Sequence, residues 1–158
     1  MKILKRRRLE AKTDYKARLT MLVSGKPRLV VRKTNRYMVA QIVSSEIAQD
    51  KVICGYSSKI LLEKGWPKEL QGSLKTLPAG YLLGLLVGKL AKGKVNEVIL
   101  DIGMNKSIAK SRIYAVVEGV LDSGLKLNCD KSILPNMKEY KINDKLKSAY
   151  EKTLKEVH

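Results

Sequence analysis

Apolar residues change their spacing several times along this chain, and each change predicts an element. Residues 1–12 show no apolar periodicity, which reads as an arm that orders on a partner. Thr13-Asp14 then offers an N-cap, and Tyr15, Leu19 and Leu22 recur at helical spacing until Ser24-Gly25-Lys26-Pro27 ends the helix. Three runs rich in β-branched residues follow: RLVVRK at 28–33, YMVAQIVS at 37–44 and KVICGYS at 51–57. Thr34-Asn35-Arg36 and then Ser45 to Asp50 join them, which predicts an antiparallel three-strand meander.

Beyond residue 57 the period becomes helical. Ser58 to Lys64 suggests a short helix closed by Gly65-Trp66-Pro67, and a longer one runs from about Pro78 to Ala91. Gly80, Gly84 and Gly88 share one face of that helix, which implies close backbone approach to the sheet, because glycine otherwise weakens a helix. Val95 to Asp101 reads as a buried strand. A helix from about Lys110 to Asp122 follows, with Ile113, Val116, Val117 and Val120 inward. Leu125 to Cys129 suggests a short strand, and a helix from about 143 to 156 turns Leu146, Tyr150 and Leu154 inward. Strand–helix–strand alternation requires at least one parallel pairing. The expected fold is therefore single-domain α/β: a mixed sheet, antiparallel meander plus parallel strand, packed by helices. A basic arm, residues 1–12, precedes a domain spanning 13–158, and no internal repeat or linker divides it.

Composition fits one core. The chain has 158 residues, 44% of them apolar, and a domain of this size buries about two-thirds of its unfolded surface. It has no Phe and a single Trp, which argues against reading single strands mainly by base stacking. Cys54 and Cys129 stand far apart with no CxxC, as expected of thiols in a reducing compartment. No signal-peptide pattern opens the chain, and the longest apolar run, Leu77 to Gly88, is too short to cross a bilayer. A soluble cytoplasmic protein without membrane contact is expected.

Charge changes the picture most. Of a net +17, the first 36 residues hold 13 Lys and Arg against only Glu10 and Asp14. A field concentrated at one end implies a large polyanion, and nucleic acid is the default because neutralised phosphates release counterions. A solubilising basic tail is the alternative. Lys5, Arg6, Arg7 and Arg8 form a dense run suited to threading along phosphates, and Lys12, Lys16 and Arg18 continue it, with Tyr15 among them. Arg28 and Arg32 share one face of a strand, and Lys26 precedes it. Lys33, Thr34, Asn35, Arg36 and Tyr37 form a turn with cations, polar groups and one ring. Spread over arm, helix and hairpin, the set predicts an extended RNA-facing surface. Lys106, Lys110 and Arg112 make a second patch at a helix start, readable either as an anion site or as a solvated face.

Catalysis finds little support. The only histidine is His158, the final residue, and no HxH, HExxH or Cys cluster suggests a metal. Gly84 to Lys89 differs from a phosphate-binding loop: three residues separate its glycines where four are needed, and Leu90 replaces Ser or Thr. Asp101 ends a buried strand, a common position for functional groups, with Glu97 on the same side. A metal nuclease would need further converging carboxylates, so satisfying the loop after Asp101 is the expected role. No cofactor is implied.

Several stretches taken together resemble a known family. They are RRRLEAKTDYKARL (Arg6 to Leu19), SGKPRLVVRKTN (Ser24 to Asn35), the Ala40-Gln41 step, PAGYLLGLLVG (Pro78 to Gly88) and LDIG (Leu100 to Gly103). In this order they are similar to the archaeal type of the universal large-subunit ribosomal protein eighteen family, over roughly residues 1–124. The resemblance implies an α/β domain with a mixed sheet and basic extension and no enzymatic activity. It implies a place in the central protuberance of the large ribosomal subunit. The partners would be 5S rRNA, large-subunit (23S-type) rRNA and neighbouring ribosomal proteins. Its RNA-contacting character carries over to Arg6, Arg7, Arg8, Lys12, Tyr15, Lys16 and Arg18, and next to Lys26, Arg28, Arg32, Lys33, Asn35 and Arg36. From about Lys126 no family motif is found. The family's fold also resembles nuclease-like domains, but shared architecture supplies no catalytic site. A nuclease using Asp101 and a general nucleic-acid-compacting protein are the alternatives.

Overall fold

The computed structural model describes residues 3–47, 49–137 and 139–157, and His158 lies outside the described residues. Among these residues five strands form one mixed sheet: β1 (Arg28–Lys33), β2 (Met38–Glu46), β3 (Gln49–Ser57), β4 (Glu97–Asp101) and β5 (Lys126–Leu127), in the spatial order β3-β2-β1-β4-β5. β1, β2 and β3 pair antiparallel as the expected meander, while β4 runs parallel to β1 and β5 parallel to β4. The β2–β3 hairpin is longer than expected. Ser45 pairs with Asp50 and Glu46 with Gln49, so most of the supposed polar link is strand. The Ser45 hydroxyl donates to Asp50 Oδ1 at 2.6 Å, which gives these polar residues a cross-strand reason to pair.

Among the described residues five α-helices accompany the sheet: α1 (Arg6–Leu9), α2 (Tyr15–Val23), α3 (Leu77–Ala91), α4 (Arg112–Asp122) and α5 (Asp144–Val157). α3 is apolar on all sides and buried accordingly. Leu83, Val87 and Ala91 pack into the core between sheet and helices. Leu82, Leu85 and Tyr81 join a second cluster with Trp66, Leu61 and Leu74, against which α5 lays Ala149 and Val157. The expected inward residues of α5, Leu146, Tyr150 and Leu154, border that cluster and are partly buried.

The glycine face of α3 meets α4 rather than the sheet. A Cβ at Gly84 would strike the Val116 carbonyl, one at Gly119 the Tyr81 carbonyl, and one at Gly88 the Ser123 side chain. Gly80 similarly approaches the Arg112 carbonyl, so the two helices run parallel with their backbones in contact and their amino termini at the same end. That end is also where parallel strands β1 and β4 finish.

Candidate nucleic-acid interface

Strand register accounts for the most buried charges. Val30 on β1 lies opposite Asp101 on β4, so Arg28 and Arg32, two residues to either side, converge on the Asp101 carboxylate. Arg28 Nη1 donates to Asp101 Oδ2 at 2.7 Å, Arg32 Nη2 donates to Oδ1 at 2.8 Å, and the Gly103 amide donates to Oδ1 at 2.9 Å. Arg28 Nη2 donates to Asp50 Oδ1 at 2.9 Å, and the other Asp50 oxygen accepts from Arg18 Nη2 at 2.7 Å. One chain of charges thus ties α2 to β3, β1 and β4. Burial by itself would raise the Asp50 carboxyl. Hydrogen bonds from Ser45 and Arg18 and the charges of Arg28 and Arg18 hold it below the usual carboxylate range instead.

This network corrects one sequence-based expectation and meets another. Arg28 is only 2% exposed and its guanidinium serves Asp101 and Asp50, so it has no face to offer an RNA. Asp101 is likewise buried with both oxygens engaged, and it does satisfy the following loop through Gly103. Glu97 turns to Lys26 at 2.7 Å. Among the described residues no three His, Cys, Asp or Glu side chains cluster as metal ligands. Arg32 stays partly exposed while donating to the Asp101 carbonyl and carboxylate.

The arm and α2 lie outside the core. Neither helix buries a residue, and Leu19 and Val23 are exposed. The predicted cap does form: Asp14 accepts from the Lys16 and Ala17 amides. Residues 6–9 make one helical turn where the pattern suggested no element. Lys5 Nζ sits 4.6 Å from the centre of the Tyr15 ring, Arg7 Nε donates to Thr13 Oγ1, and Arg6 and Lys12 share Glu10. Exposed pairs of this kind contribute about 1 kcal/mol or less, so these cations can exchange a carboxylate for a phosphate at little cost. Arg8 and Lys16 are exposed and form no ion pair among the described residues.

In the β1–β2 turn, Thr34 has a structural job: its hydroxyl donates to the Tyr37 carbonyl at 2.8 Å and accepts from the Tyr37 amide at 2.9 Å. Asn35, Arg36 and Tyr37 border a hollow of about 310 Å³ whose far wall is Gln71, Gly72 and Lys75. Gln71 Nε2 donates to the Tyr37 hydroxyl and Lys75 Nζ to the Asn35 carbonyl, both at 3.1 Å. The sequence reading missed Gln71 and Lys75; the lone charge of Lys75 is the one signal that could have flagged it.

The second basic patch gains a member. α4 begins at Arg112, two residues later than expected, because Lys110 adopts a left-handed φ of 56° and donates its amide to the Ile133 carbonyl. Lys33, from the end of β1, comes to the same hollow as Lys106, Lys110 and Arg112. The sequence separates these groups by more than 70 residues, and parallel pairing of β1 with β4 unites them.

Comparison with known proteins places the chain among ribosomal proteins. The profile of the family described as ribosomal large subunit proteins 60S L5 and 50S L18 matches residues 1–97. A large ribosomal subunit protein uL18 from Korarchaeum cryptofilum is 47% identical over 136 residues, covering 85% of this chain and 68% of that protein. Another uL18, from Caldivirga maquilingensis, is 40% identical over 157 residues, covering 98% of this chain and 73% of that protein. Membership makes the chain a non-enzymatic structural constituent of cytoplasmic ribosomes, with ribosomal RNA and ribosomal proteins as partners. By profile and by identity alike, this chain belongs to the uL18 family of large-subunit ribosomal proteins.

Proposed function

We propose that the protein binds 5S rRNA together with large-subunit rRNA and helps anchor 5S rRNA in the central protuberance. The carrying observation is a run of exposed or weakly paired cations over residues 5–16, on and between two helices that bury nothing, with Arg18 tied to Asp50 at its end. The RNA-facing set is Lys5, Arg6, Arg7, Arg8, Lys12, Tyr15, Lys16 and Arg18, with Lys26, Arg32, Lys33, Asn35, Arg36 and Tyr37 in and around the hairpin. Lys106, Lys110 and Arg112 extend it. Arg28 leaves the set because it is buried, and Thr34 serves by shaping the turn. Residues 1–12 act as the RNA-binding arm, while the domain beyond them matches RNA shape.

Competition binding tests this reading. Labelled 5S rRNA is challenged with tRNA and duplex DNA at ~0.2 M salt, where non-specific phosphate binding is already weakened. Preference for 5S rRNA at that salt is the expected result. Equal competition by all three nucleic acids overturns it in favour of general nucleic-acid compaction.

A further inference from the structure

The hollow at the end of the parallel strands has more than charge. It encloses about 550 Å³, within the roughly 300–1,000 Å³ range of clefts that hold small organic ligands. A bare phosphate group would fill only a small part of it. Lys33, Lys106, Lys110 and Arg112 stand around it, all exposed, and none forms an ion pair among the described residues. Four unneutralised cations around one concavity repel each other, and an anion relieves that repulsion.

The same hollow has an apolar side. Leu77 and Ile113 line its wall, while Met104 and Ile108 border it with 54% and 60% of their surfaces in solvent. Two helices begin there. Leu77 is the first residue of α3, and Ser111 caps α4 without a side-chain hydrogen bond to it. The Ser111 hydroxyl oxygen is buried and has no partner among the described residues. Both helix dipoles therefore add positive potential at this end. A site combining cations, apolar contacts and an unused hydroxyl suits a ligand that is anionic at one end and presents an apolar face at the other.

We propose that this hollow holds one unstacked nucleotide of the bound RNA, its phosphate among Lys33, Lys106, Lys110 and Arg112 and its base against Met104 and Ile108. The proposal rests on the RNA-binding reading above and deepens it. An RNA kept in register by a single extruded nucleotide would be recognised by local shape, as splayed-out bases in loops and bulges are.

The test uses amide chemical shifts of the full chain, titrated with a mixed-sequence single-stranded ribotetranucleotide and with an abasic tetranucleotide carrying the same phosphates. Residues 104–112 and Lys33 should shift with the first, and the abasic chain should bind there about tenfold more weakly, as expected when the apolar area shared by the base with Met104 and Ile108 returns to water. Adenosine and uridine monophosphates form a further arm, expected to bind more weakly than the tetranucleotide. Ile108→Glu, at an exposed position, should remove the shifts around the hollow and leave those of residues 5–18. Equal binding of the abasic chain reduces the hollow to a phosphate site and overturns the proposal. Tighter binding of a free monophosphate overturns the assignment to RNA. Shifts confined to residues 5–18, or no shift anywhere, overturn the hollow, while the RNA-binding reading stands or falls by the 5S rRNA competition.

Discussion

Asp101→Asn separates a structural aspartate from a catalytic one. The wild-type carboxylate accepts three hydrogen bonds, two of them from guanidinium groups, and one of those belongs to Arg28, which is 2% exposed. Asn keeps one oxygen for Arg32 and Gly103, but it turns an NH₂ toward Arg28 Nη1. That leaves a buried cation with Asp50 as its remaining charged partner. Breaking one side of a buried pair costs about 3–5 kcal/mol. Because Asp50 stays, we expect the low end, about 3 kcal/mol. With a urea dependence of roughly 2 kcal/mol/M, the unfolding midpoint should fall by roughly 1.5 M. Removing both partners, in Arg28→Met with Asp101→Leu, should cost at least about 1 kcal/mol less than the two single changes added together. A midpoint unchanged by Asp101→Asn, or strictly additive single and double variants, would refute the argument that this ion pair anchors β1 to β4.

Gly119→Ala should destabilise the fold by about 2 kcal/mol or more in thermal melts, since its Cβ strikes the Tyr81 carbonyl, although helix propensity alone would favour Ala by about 1 kcal/mol. A gain in melting temperature would show that α3 and α4 can part freely. Arg7→Ala combined with Arg8→Ala should weaken RNA binding and lower the log–log salt slope by about 0.7–0.9 per lost phosphate contact. Both side chains are exposed, so the melting temperature should stay unchanged, and a clear drop would assign them to the fold. Asp50 has a lowered carboxyl in the folded state, so its contribution is present above the unfolded value near pH 4 and is lost as pH falls through the lower folded value. Melting temperatures of wild type and Asp50→Asn, measured from neutral pH into acid, should therefore converge below about pH 4. A gap that stays constant to the lowest pH would contradict the network.

Much of the fold was legible in the residue pattern because backbone periodicity is local. β-branched runs gave the meander, and the apolar period gave α3, α4 and α5 to within a few residues. The basic concentration in the first 36 residues is likewise a property of the chain alone. α2 was legible as a helix and no further. Tyr15, Leu19 and Leu22 have helical spacing and do form a helix, but spacing says nothing of whether a surface exists to cover them.

The sequence by itself determined the alternation, the caps and the family, all properties of neighbours along the chain. Tertiary structure decided what each charge is for. Arg28 and Arg32 are equivalent by alternation, yet one is sealed between Asp50 and Asp101 while the other stays partly in solvent. Lys33 became a neighbour of Lys106 and Arg112 only when β1 paired parallel with β4. The glycines of α3 found a helix where a sheet was expected. In each case the deciding quantity was a distance between residues remote in sequence. Strand register and helix packing set such distances, because burial and pair energies depend on separation in space.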